Sequence, residues 1–263
     1  MNLKKHYDIK EGYTELFSSG DGISKNIDLG ILSLNKTERY KSKSNSKEIV
    51  LIIISGKCSV KVGDKQFNSI GKRKNVFEGR AFGIYIPPEH IFEVVREESC
   101  EIAVCGTHSD RKDIKPYIIT PEENRVRKVG RENWQRDVID IVGPFVESQH
   151  FLIGETINLP GNWSSYPPHK HEIDDPPVES LHEEVYFFKI NPPQGFGLQR
   201  VYTDNGELDE TYTIMNNDAV FLPKGYHPVA SAGGYSVYYL WVLVGDKRKV
   251  IPHDDPNHAW LNK

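Results

Sequence analysis

From Glu48 onward the chain reads as short β-branched or aromatic runs cut by turn residues, and almost no stretch sustains a helical period. That punctuation predicts an all-β fold. Ile49-Val50-Leu51-Ile52-Ile53-Ile54 and Cys58-Ser59-Val60-Lys61-Val62 read as two strands, and the Gly63-Asp64 pair after them is a hairpin signal. Gly83 to His90, followed by Ile91-Phe92-Glu93-Val94-Val95, repeats the pattern of strand, proline-marked corner and strand. Ile102-Ala103-Val104-Cys105 closes this half, and a second β run extends from about His150 to Val244. Between about Asp110 and Phe145 the chain turns charged and Arg-rich, which predicts a connector with one short helix. Trp134 to Ile141 fits the helical and the strand period equally poorly.

The two β runs repeat each other in order. Ile49 to Ser55 parallels Val185 to Lys189, and Ile84-Tyr85-Ile86-Pro87-Pro88-Glu89-His90 parallels Val220-Phe221-Leu222-Pro223-Lys224-Gly225-Tyr226-His227. An internal duplication is expected, with one domain over residues 1–130 and a second over 131–263.

Histidines separate the halves. His169-Lys170-His171 sets two imidazoles at i and i+2, which point the same way from an extended segment. Glu183-Glu184 and then Pro223-Lys224-Gly225-Tyr226-His227 follow it, so a carboxylate and a third nitrogen can arrive from neighbouring strands. Such a mixed N/O set suits one divalent ion: Zn, Mn, Fe, Ni or Co. Two histidines so spaced mean little alone; the ordered set is the signal. The first half has no HxH and keeps only His90, so the metal is expected in the second half alone.

Net charge is -4 over 263 residues, which argues against a nucleic-acid or membrane-surface role. No apolar run approaches a membrane span, and the opening residues lack the apolar core of a signal peptide, so a cytoplasmic protein is expected. The 3 cysteines, Cys58, Cys100 and Cys105, show no CxxC spacing and read as buried thiols. No phosphate-cradling or nucleophile-elbow motif is present.

On the HxH, the downstream Glu and the later His, the chain resembles the cupin superfamily: antiparallel jelly-roll barrels holding one metal at the barrel mouth. The resemblance implies His169, His171, Glu184 and His227 as ligands, Glu184 being preferred to Glu183 because it precedes Val185-Tyr186-Phe187-Phe188. The long gap from His171 to Glu184 and the PxGxH form of the last motif narrow the match. With Gly161 to His171, Pro192 to Gly197, Gln199 to Asp204 and Pro223 to Val229, the chain looks like the 5-deoxy-glucuronate isomerase family of myo-inositol catabolism, whose members are bicupins. An aldose–ketose isomerisation of a sugar acid is therefore implied; a cupin dioxygenase using the same metal site, or an isomerase of a related uronate, is the alternative. Homo-oligomers are common among cupins, and no interface is legible here.

That chemistry needs a base, with Glu183, His182, Lys170 and Tyr186 as candidates. Side-chain alternation lets only one of Glu183 and Glu184 face the site. It also needs a cation for the substrate carboxylate, for which Arg200 is first choice. Arg200 shares a strand face with Tyr202, and Lys224 is a further candidate. His182 is expected to be exposed, and His253 and His258 to lie in a surface tail.

Overall fold

Nearly every apolar run becomes a strand, and strands pair antiparallel, as Lys47–Ser55 does with Cys100–His108 and Glu183–Asn191 with Ser236–Val244. The computed structural model describes residues 2–262. The chain divides into two compact units, one built from Tyr7–Asn124 and Pro144–Phe151, the other from the residues up to His6, Arg125–Gly143 and everything from Leu152 onward.

In the first unit a six-stranded sheet runs in the order Tyr117–Ile119, Gly83–Ile86, Lys47–Ser55, Cys100–His108, Asp28–Leu34, Gly12–Phe17. A four-stranded sheet runs Arg39–Lys43, Ile91–Arg96, Cys58–Val62, Lys65–Ile70. Lys47–Ser55 is buried from Glu48 to Ile54, since it lies inside its sheet with side chains packed on both faces. Cys58–Val62 instead alternates, Cys58, Val60 and Val62 inward with Ser59 and Lys61 outward. Ile49, Leu51, Ile53, Val60, Val62, Ile84, Ile86, Phe92 and Val94 interlock as one aliphatic core.

The second unit repeats this plan. Its larger sheet runs Lys4–His6, Asp218–Leu222, Glu183–Asn191, Ser236–Val244, Phe151–Asn158, Arg136–Val142, Arg125–Val129, and its smaller one Trp163–Ser164, Val229–Ser231, Gly197–Tyr202, Asp209–Ile214. Leaving out the edge strands Tyr117–Ile119, Lys4–His6 and Arg125–Val129, corresponding segments take corresponding places in both units, the mark of a duplicated jelly roll. The connector is mostly strand: a single 3₁₀ turn, Glu132–Trp134, precedes Arg136–Val142. The poor helical period of that segment is explained by its mixed burial, with Val138 only half-buried. Among the described residues no helix is long and apolar enough to cross a membrane.

Candidate metal centre

Glu184 is the second residue of Glu183–Asn191, an inner strand bonded on both sides: Glu184 pairs with Leu222 in one neighbour and Leu243 in the other. Its backbone is thereby fixed, and alternation turns Glu184, Tyr186 and Phe188 to one face and Glu183 to the other. Glu184 Oε2 lies 3.0 Å from His171 Nε2 and 3.3 Å from His227 Nε2. One ligand atom from each of these three residues falls within 4.8 Å of the others, and all three side chains are buried. Among the described residues this is the one grouping of three or more such groups.

His227 reaches this point through a glycine. Gly225 has φ +85°, and a Cβ on it would sit 2.3 Å from the Tyr202 carbonyl oxygen. Only glycine lets the chain approach so closely. Tyr226 and Tyr202 then exchange both backbone hydrogen bonds, at 2.8 and 3.0 Å, which sets His227 across from Val201 on the buried face of Gly197–Tyr202.

Both rings are oriented from behind. His171 Nδ1 lies 2.9 Å from the His182 carbonyl and His227 Nδ1 lies 2.9 Å from the Gly225 carbonyl. A carbonyl oxygen only accepts, so each Nδ1 carries the proton and each Nε2 is aimed at Glu184, the arrangement by which outer partners fix a ligand histidine. Burial pushes the His227 pKa down to about 3, outweighing the attraction of Glu184 and aided by the two neighbouring imidazoles. Burial likewise lowers His171, but the hydrogen bond and charge of Glu184 overcome it and the net shift is upward. His227 Nε2 is buried with no hydrogen-bond partner among the described residues.

His169 stands slightly apart. Its ring is 5.0 Å from that of His227, edge-on, and 6.4 Å from that of His171, outside the three-residue grouping. Burial lowers its pKa to about 3, with a contribution from His171. The short strand His169–Lys170 pairs with His253–Asp254, so His253 belongs to a strand that steadies the HxH segment and not to a loose tail. His182 is also not exposed: it is 3% accessible, its Nε2 is 2.7 Å from the Lys247 carbonyl, and its own carbonyl holds His171.

The other candidate residues divide by strand face. Tyr186 is buried toward the centre, its ring 6.0 Å from that of His227 and stacked on Tyr239 at 4.5 Å; its hydroxyl is 3.0 Å from Ser165 Oγ. Burial, and then the charge of Glu184, raise its pKa well above the phenol value. Glu183 faces away from Glu184. Lys170 is buried, with Nζ 2.7 Å from Glu172 and 2.9 Å from Asp204. Burial would lower its pKa, but these carboxylates raise it, so Lys170 is held as an ammonium and has no lone pair with which to act as a base.

Arg200, Tyr202 and Lys224 lie on the outer side. Arg200 is exposed and forks onto Asp209 at 2.7 and 2.8 Å, over the ring of Tyr202. The Tyr202 hydroxyl donates to Asp255, and Lys224 pairs with Glu207. Alternation decides this, because the inward residues of Gly197–Tyr202 are Gln199 and Val201, both fully buried. Neither polar atom of the Gln199 amide has a hydrogen-bond partner among the described residues, nor do Ser164 Oγ and Ser231 Oγ. Ser164 and Gln199 both lie in register with Val229, and Ser231 with Gly197, so all three polar residues share the buried face with His227. Their pattern in sequence is ordinary strand alternation, which carries no sign of this.

The description of the KduI/IolB family matches residues 6–261. The 5-deoxy-glucuronate isomerase of Geobacillus kaustophilus is 38% identical over 234 residues, covering 87% of this chain and 83% of that protein. The crystal structure of an IolB-like protein from Salmonella typhimurium superposes with a TM-score of 0.95 at 35% identity, over 100% of both chains. The oxalate decarboxylase of Bacillus subtilis, at 13% identity and a TM-score of 0.66 over 96% of this chain and 79% of its own, shares the fold.

Proposed function

The chain belongs to the KduI/IolB family, and from that footing we propose that it isomerises 5-deoxy-glucuronate, an aldose acid, to the ketose acid 5-dehydro-2-deoxy-gluconate. The second jelly roll is the seat of the reaction, with one divalent metal held by His171, Glu184 and His227 and joined by His169. The observation that carries this is the buried convergence of His171, Glu184 and His227 within 4.8 Å, in a chain 38% identical to a protein named for this activity.

The donor set fits a metal on its own chemistry. Two imidazoles with Nδ1 committed to carbonyls turn Nε2 to one carboxylate, and His227 Nε2 is an orphaned buried nitrogen. Such an atom costs about 1–3 kcal/mol unless something binds it. A divalent ion, when bound, would offer Lewis acidity to the carbonyl and its neighbouring hydroxyl and stabilise enediolate charge.

Aldose–ketose interconversion moves one proton from C2 to C1 and one between the two oxygens. Tyr186 suits the oxygen transfer: its phenol is held protonated by burial and by Glu184, and Ser165 Oγ joins it in a hydroxyl cluster, 3.0 Å from the Tyr186 hydroxyl and 3.5 Å from that of Tyr239. Glu183 faces away and Lys170 is an ammonium, so neither is proposed as the carbon base. Gln199, Ser164 and Ser231 offer buried donors and acceptors to the sugar hydroxyls. Tyr202 and Lys224 have no proposed substrate contact.

Metal-analysed protein incubated anaerobically with 5-deoxy-glucuronate in D₂O tests this by NMR. The aldehyde signal should fall as the ketone appears, with conversion abolished by a chelator and restored by one divalent metal. Absence of conversion with metal bound, or a reaction that needs oxygen, would overturn the isomerase assignment.

A further inference from the structure

A sugar acid needs a cation, and Arg200 is already committed to Asp209 on the outer face. We propose that Arg136 is the residue that holds the substrate carboxylate, an inference that rests on the isomerase function above.

Arg136 opens the strand Arg136–Val142 and lies opposite Asn158. Two register steps along, Asp140 lies opposite Gly154, so Arg136 and Gly154 share a face. A Cβ on Gly154 would meet the Trp241 ring at 2.2 Å. Trp241 in turn lies opposite Tyr186. Arg136, Trp241, Tyr186 and Glu184 therefore occupy one face of the larger sheet, the face that carries the candidate metal centre.

Arg136 is 9% exposed. Its Nη1 donates to the carbonyls of Trp134 and Tyr166, at 3.1 and 2.9 Å, and no carboxylate pairs with it among the described residues. Asp140, the acidic residue on its own strand face, is taken by Nε and Nη2 of Arg127, each at 2.8 Å. A buried cation satisfied only by neutral carbonyls is unfavourable, and arginine does not escape by deprotonating. The same geometry leaves the rest of the planar fork for a bidentate anion, which a carboxylate matches.

Its surroundings tie it to the reacting end of the site. The Tyr166 carbonyl that it holds directly follows Ser165, whose hydroxyl meets those of Tyr186 and Tyr239, and precedes Pro167-Pro168-His169. One side chain is thus joined to the hydroxyl cluster and to the HxH segment, and a substrate bound between them would meet the cation at its acidic end.

The test compares 5-deoxy-glucuronate with 5-deoxy-glucose, which carries a hydroxymethyl group where the uronate carries its carboxylate. The metal-loaded wild type should prefer the uronate by about 100-fold or more in kcat/KM. Arg136→Met should bring the two sugars within about threefold of each other by losing the uronate, while turnover of 5-deoxy-glucose and metal content hold. Arg136→Lys, which keeps charge without the fork, should lose about tenfold on the uronate, mostly in KM. An undiminished preference in both variants overturns the proposal. A parallel loss on both sugars in both variants also overturns it, because the arginine would then only brace the Trp134 and Tyr166 backbone. Should the wild type turn over neither sugar, the isomerase assignment fails separately. Calorimetric titration with the two sugars then decides: a preference for the uronate that Arg136→Lys weakens supports the anchor, and equal binding by the wild type overturns it.

Discussion

The two jelly rolls share a strand order and differ in what fills them. In the first, Val60 pairs with Val94, Val62 with Phe92 and Ile49 with Ile86, all in one aliphatic core. In the second, the corresponding pairings are Gln199 with Val229 and Glu184 with Leu222, with His227 across from Val201. Burying polar groups costs free energy unless they are satisfied, and under the proposed function a metal and a substrate would offset that cost in the second jelly roll. The backbone plan licenses neither outcome; the side chains do.

Two buried glutamates sharpen the contrast. Glu48 precedes the inward-facing Ile49, so it lies on the opposite sheet face from the aliphatic core. It accepts hydrogen bonds there from the Tyr85 and Ser148 hydroxyls, at 2.9 and 3.2 Å, and from the backbone N–H of Gln149 and His150, at 2.9 and 2.8 Å. That carboxylate is fully satisfied by protein. Glu184 faces two imidazoles instead. One residue of strand register separates the structural glutamate from the candidate ligand.

Making the second interior resemble the first should have the largest effect. Glu184→Ile with His227→Phe should abolish metal uptake and lower isomerisation by at least about 100-fold, the scale on which even outer partners tune a metal site. Thermal unfolding should show the fold intact; retained activity in a metal-free double variant would break the comparison.

Breaking the structural glutamate should do the reverse. Glu48→Leu strands the Tyr85 hydroxyl and two backbone N–H groups, costing about 3 kcal/mol in denaturant unfolding, while KM and metal stoichiometry stay unchanged. A loss of metal in this variant would show that the two units are not functionally separate.

A pH series tests the buried imidazoles. Burial, which disfavours the charged imidazolium, pushes the pKa of His169 and of His227 down to about 3 from an ordinary value of 6.5. Below 6.5 the unfolded chain takes up protons that the folded chain refuses, so stability is present above 6.5 and lost as pH falls toward 3. His171, raised by Glu184, acts with the opposite sign, its contribution being full below 6.5 and lost as pH rises through its folded value. His227→Phe should therefore show a shallower fall between pH 6 and about 4, measured by denaturant midpoints; an unchanged slope would contradict the buried neutral state.

The smallest effect belongs to the outer face. Arg200→Ala removes an exposed pair with Asp209, so stability should change by under about 1 kcal/mol, and KM for the uronate by less than about twofold. A tenfold rise in KM would return Arg200 to the substrate.

The fold was legible because strands and turns leave local marks: alternation in Cys58 to Val62, the Gly63-Asp64 hairpin, and the repeated proline corner at Pro87 and Pro223. Less was legible where strand face decides the outcome. HxH spacing and PxGxH locate the histidines with little dependence on parity, whereas Arg200 and Arg136 can be told apart only by which face of which strand turns inward. Trp134 to Ile141 hides that parity, and so hides Arg136. Strand pairing at long range was equally invisible, whether His253 beside Lys170 or Lys5 beside Ala219, since neither leaves a signal near either partner in sequence.

The most direct test of a single catalytic jelly roll is a titration of chelator-stripped protein with a divalent metal, reading bound metal by elemental analysis and isomerisation of 5-deoxy-glucuronate on the same samples. Activity should rise in proportion to metal and saturate at one equivalent per chain, and Glu184→Gln should neither bind nor turn over. Full activity without metal, or saturation at two equivalents with Glu184→Gln still active, would contradict it.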